Sequence, residues 1–162
     1  MKLFVNNKTL SFGGNSVVTN EQGETVYNVK GKWVIFSPTH KKKIYDANKN
    51  LLFKVRTKFI NLWKPKAYIF NASGEKIAKV KPANLRTEYY VEGYKDEITL
   101  IRNTALKFDY SVVKNEEPFA RIYSEFSVVN DKYVVEGNEE DMPFLVALVI
   151  ALDNIRDKAI KS

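Results

Sequence analysis

Two stretches set cations beside aromatic or aliphatic side chains: HKKKIYD at 40–46 and FINLWKPKAY at 59–68. That mixture suits a membrane interface, with Trp63 at head-group level and Lys41, Lys42, Lys43, Lys64 and Lys66 reaching lipid phosphates. Stacking of nucleic-acid bases would use the same residue types. Trp63, Phe59 and Ile60 would equally serve to fill a barrel end or core. The lone histidine, His40, beside three lysines in a turn containing Pro38, reads as a solvated loop residue and not as a metal ligand or general base. Nothing resembling a nucleophile elbow, a P-loop or a dinucleotide fingerprint is present, and FGGNS at 12–16 reads as a turn. Glu116 and Glu117 fall in a turn, and Glu139 to Asp141 at a helix start, where acids serve solubility and the helix dipole. Without cysteine there are no disulfides or thiolate metal sites. The chain is therefore expected not to be an enzyme and to need no cofactor or metal.

Charge is unevenly distributed. The net charge is +7, yet from Lys30 to Lys81 fourteen Lys or Arg stand against Asp46 and Glu75, a balance of +12. From Glu88 to Asp141 thirteen acids stand against six bases, a balance of −7. A basic half of this kind is either a solvated surface or a face for a polyanion such as anionic lipid, phosphoinositide or nucleic acid.

The elements that must carry these cations are strands. VTNEQGETVYNVK (18–30), IYDANKNLLFKVR (44–56) and IFNASGEKIAKVK (69–81) align without gaps, and VVKNEEPFARIY (112–123) joins them with a turn one residue shorter. Each unit reads as strand, polar turn, strand. In the second strands Tyr27 and Val29, Phe53 and Val55, and Ala78 and Val80 share one face, while Asn28 and Lys30, Lys54 and Arg56, and Lys79 and Lys81 share the other, the pattern of half-buried antiparallel strands. Further β-rich runs lie at 3–5, 32–37, 87–94, 97–103, 106–113, 123–129 and 132–137, giving roughly a dozen strands. Closure would remove the edges of such a sheet, but about eight strands already give a just-filled barrel, so twelve need a plug.

Residues 142 to 152 supply one. These eleven residues lack any polar side chain and lie between Asp141 and Asp153, too short for a bilayer span of about 17–25 residues. A helix apolar on all sides must be surrounded by protein. The chain opens with MKLFVNNKTLSF, which turns polar before a signal-peptide core could form. The expected fold is mainly β: a single domain over 1–162, a barrel of about twelve antiparallel strands closed around a C-terminal hydrophobic helix at 142–155.

At this point YDANKNLLFKVRTKFINLWKPKAYIFNASGEKIAKVK, residues 45 to 81, resembles the core of the LURP-one-related proteins, which share the tubby C-terminal-like fold with tubby proteins and phospholipid scramblases. The resemblance implies a twelve-stranded barrel around a central helix. Tubby proteins bind phosphoinositide head groups through a Lys-x-Arg pair on a strand, and KVR puts Lys54 and Arg56 at a similar place. Cations at i and i+2 of a strand point to one side, so both could grip a single phosphate. The expected function is a non-catalytic binding module for an anionic phospholipid or phosphoinositide head group. The alternative is a scaffold domain with an acidic protein partner. Nucleic acid is disfavoured, because no recognised motif is present and the acidic half would repel a strand. The expected location is cytoplasmic, with peripheral membrane contact.

Overall fold

The computed structural model describes residues 1–6, 14–32, 39–58, 65–83, 88–94, 96–104, 108–125 and 132–159. Within these lie β1 (Lys2–Asn6), β2 (Ser16–Thr19), β3 (Thr25–Lys32), β4 (Thr39–Tyr45), β5 (Leu51–Lys58) and β6 (Lys66–Asn71). The second half holds β7 (Lys76–Pro82), β8 (Glu88–Glu92), β9 (Ile98–Arg102), β10 (Asp109–Lys114), β11 (Glu117–Glu125) and β12 (Lys132–Glu136). A single 3-10 turn at Glu139–Asp141 leads into α1 (Met142–Ala159).

Each strand pairs antiparallel with its neighbours in sequence, and β1 closes the ring against β12. The expected closed barrel of twelve antiparallel strands with one C-terminal helix is what the chain forms. Expected strand positions at 33–37 and 126–129 lie outside the described residues, as do Trp63, Phe59, Ile60 and Lys64.

The internal repeat is a repeat of turn chemistry. At Asn20, Asp46 and Asn71 the side-chain Oδ1 accepts the backbone N–H four residues on, from Glu24 at 2.9 Å, Asn50 at 2.7 Å and Glu75 at 2.9 Å. The first residue's carbonyl also accepts the N–H three residues on, from Gly23, Lys49 and Gly74. That third position is left-handed in every copy, with φ of 80°, 65° and 90°, so glycine suits it and Lys49 is strained there. The shorter fourth turn pairs Lys114 with Glu117 across Asn115 and Glu116, both at positive φ, as a two-residue hairpin demands.

Strand alternation turns Val29, Val55, Ala78 and Val80 inward, at most 1% exposed, so the faces assigned from the repeats hold. The barrel's centre is occupied by α1, whose residues from Phe144 to Ile155 are all buried. Leu145, Leu148 and Val149 are fully inaccessible and Leu152 is 1% exposed; each such side chain contributes roughly 1.5–3 kcal/mol on burial. Phe144 stacks on Tyr94 with ring centroids 3.7 Å apart and meets Phe53 edge-on at 6.4 Å. At Gly137, where wall passes into helix, a Cβ would lie 2.8 Å from Leu145 Cδ1 and 3.3 Å from Ala120 Cβ, so a side chain there would require the end of Leu145 to move. The buried carboxylate of Asp153 in the helix accepts a 2.5 Å hydrogen bond from the Tyr133 hydroxyl. The helix packs mainly against β5 and β6.

Candidate anion-binding face

The outer surface of β3, β4 and β5 is organised by register. Lys43 stands opposite Lys30 on one side and Lys54 on the other. One step along, Lys41 stands opposite Arg56, and Lys32 opposite Lys41. Lys41, Lys43 and Lys30 are exposed, and Lys54 and Arg56 are half-buried. Neighbouring strands are about 4.8 Å apart and same-face residues about 6.8 Å apart along a strand, so the cations form a compact grid. Like charges directly opposite each other destabilise a sheet. Among the described residues, none of Lys30, Lys41, Lys43, Lys54 and Arg56 forms an ion pair with a carboxylate. Arg56 Nε is withdrawn from solvent and makes no hydrogen bond.

Aromatic side chains flank the grid. Tyr68 is the β6 partner of Arg56, and Phe70 that of Lys54; both are half-buried. The Lys30 ammonium lies 5.2 Å from the centroid of the Tyr45 ring, a cation–π contact. Beyond β6 the repulsion ends. Lys79 and Lys81 both reach Glu92, the former at 2.9 Å, and these hydrogen bonds, Lys81's foremost, hold the Glu92 carboxyl down at about 2. Lys114 meets Asp96 at 2.9 Å, which raises the lysine pKa. Arg121 makes a two-pronged contact with Asp109 at 2.9 and 3.1 Å, which raises the guanidinium pKa.

Of the residues singled out from sequence, Lys41, Lys43, Lys54 and Arg56 come together on this face. Lys66 is half-buried at the start of β6, opposite Lys58, one step along the strands from the Arg56–Tyr68 pair. Lys64 lies outside the described residues. Lys42 requires correction. The stretch at 40–46 is not a loop: Thr39–Tyr45 is a strand, His40 included, and strand alternation sends Lys42 to the opposite side from its neighbours. It stands opposite Val55, 1% exposed and engaged within the fold, so it takes no part in the outer face. Lys30 is the cation that sequence reasoning left out. Its position on the outward face of the first repeat was visible, but its opposition to Lys43, which lies between two repeat units, appears only in the register.

Among the described residues, no group of three or more His, Asp or Glu side chains is placed to hold a metal ion. No helix there is long and apolar enough to cross a membrane.

The fold has a solved counterpart in the crystal structure of an Arabidopsis thaliana protein, 17% identical, with a TM-score of 0.65 over 96% of this chain and 91% of that one. No curated protein matches the sequence. The family model described as LURP-one-related matches residues 1–153. That match over nearly the whole chain, with which the twelve-stranded barrel agrees, places the chain in the LURP-one-related family.

Proposed function

We propose that the chain is a non-catalytic binding module whose β3–β5 face docks an anionic phospholipid head group, with Lys54 and Arg56 at its centre. The observation that carries this is the in-register grid of like charges. Five cations stand close together with no carboxylate partner among the described residues, an arrangement that costs stability in the free protein and is relieved by a bound anion. Flanking aromatics suit the boundary between head groups and acyl chains. The helix packs behind β5, so the strand that carries Lys54 and Arg56 is backed from inside.

Co-sedimentation with vesicles containing anionic lipid, against purely zwitterionic ones, tests the reading. Binding should require the anionic lipid and weaken steeply with salt, since exposed charges are screened over roughly 8 Å at physiological ionic strength. No binding at low salt removes the lipid reading. Retention of an acidic protein surface under the same conditions would then put a scaffold role in its place.

A further inference from the structure

The barrel wall is notched beside Lys30. Among the described residues β1 and β2 share two opposed pairs, Phe4 with Thr19 and Val5 with Val18. Beyond them the Ser16 hydroxyl reaches across to the Asn6 carbonyl at 3.3 Å. A cavity of about 260 Å³ opens there, lined by Asn6, Asn15, Ser16, Asn28 and Lys30 together with two valines.

Two of the notch asparagines lack the intrachain bonds that several others make. Asn20, Asn50, Asn71, Asn103 and Asn115 spend their carboxamides on hydrogen bonds within the chain. Among the described residues the Asn15 and Asn28 carboxamides make no such bond, and the Ser16 hydroxyl acts only as a donor, leaving its oxygen able to accept. Two amides, each both donor and acceptor, together with a hydroxyl, match the hydroxyl groups of a polyol. Lys30, which lines the notch and whose ammonium lies by the Tyr45 ring, is directly opposite Lys43 and so ends the cation row.

We propose that this notch is a subsite for a phosphate ester of a polyol, with Lys30 taking the phosphate and the Asn15 and Asn28 carboxamides the hydroxyls. It rests on the reading of the neighbouring face as anion-binding and adds selectivity to it: the face attracts negative charge, and the notch chooses what carries it.

The test uses the full chain. In nitrogen-15 NMR titrations, the Asn15 and Asn28 side-chain amides should shift saturably with glycerol phosphate, which should bind roughly fivefold more tightly than inorganic phosphate, the gain of one net hydrogen bond or more. Asn28→Ala should abolish that preference while leaving inorganic phosphate binding unchanged. Vesicles containing phosphatidylglycerol or phosphatidic acid, matched in surface charge, identify the source. Preference for phosphatidylglycerol makes it a lipid head group; preference seen only with the free ester makes it a soluble metabolite. Equal binding of both vesicles and equal binding of glycerol phosphate and phosphate overturn the notch alone. Binding of neither vesicle nor of any free phosphate overturns the face and the notch together.

Discussion

Two outer faces of one barrel solve the same electrostatic problem in opposite ways. On β7 to β11 the ion pairs are local: Lys79 and Lys81 share Glu92, Lys114 meets Asp96, and Arg121 grips Asp109. On β3 to β5, Lys30, Lys43 and Lys54 stand in a row opposite one another with no carboxylate among their strand partners, and Lys41 faces Arg56. Strand geometry and backbone pairing are the same on both sides. The fold therefore tolerates either arrangement, and only the first stabilises it. A face that opposes its own fold is the part of the surface whose residues point to a role outside folding.

The contrast presupposes one wall wrapped on one helix, and the largest effect should come from breaking that. Leu148→Asp places an unpaired charge at a fully inaccessible site and should destabilise by on the order of 3–5 kcal/mol. Circular dichroism should show loss of cooperative unfolding. A folded variant with an unchanged transition would mean the helix is no plug.

Next in size is the removal of charge from each face in turn. With roughly 1 kcal/mol per cation near an anionic surface, Lys41→Gln, Lys43→Gln, Lys54→Gln and Arg56→Gln together should weaken vesicle binding about a thousandfold. The melting temperature should hold or rise, because each relieved like-charge pair returns roughly 0.2–1 kcal/mol. Lys79→Gln, Lys114→Gln and Arg121→Gln together should do the reverse, lowering the melting temperature with little loss of binding. Equal losses of binding from both sets would show a diffuse field with no special face. Lys42→Gln should lower stability and leave binding alone, since that side chain faces inward.

A smaller effect separates the faces by titration. Glu92 has its folded pKa held at about 2, against an ordinary 4.5. Its contribution to stability is therefore full above 4.5 and is lost as pH falls towards 2. Carbon-13 NMR of the carboxyl should report the low value, and Lys81→Met should raise it.

The smallest expected change is at Lys49, at the turn that joins β4 to β5, where φ is 65°. Lys49→Gly removes a cation near the basic face without touching the grid. It should raise stability by about 0.5–1 kcal/mol and leave vesicle binding unchanged.

Sequence alone determined the strands, their inward faces, the hairpin turns and the buried helix, because each is written in short-range pattern. Alternation marks a strand wherever polar and apolar residues alternate, as in Phe53 to Arg56, and Asn, Asp or Gly at fixed offsets marks the turns. The run at 41–43 defeated that reading, because three lysines in succession carry no period and the inward-pointing Lys42 looks like its neighbours. Tertiary structure decided the rest. The opposition of Lys30, Lys43 and Lys54, the neutralisation of Lys79 and Lys81 by Glu92, and the notch formed by β1, β2 and β3 all depend on register between strands. Register is set by turn length, bulges and the packing of every inner face on α1, none of which is local to the residues it brings together.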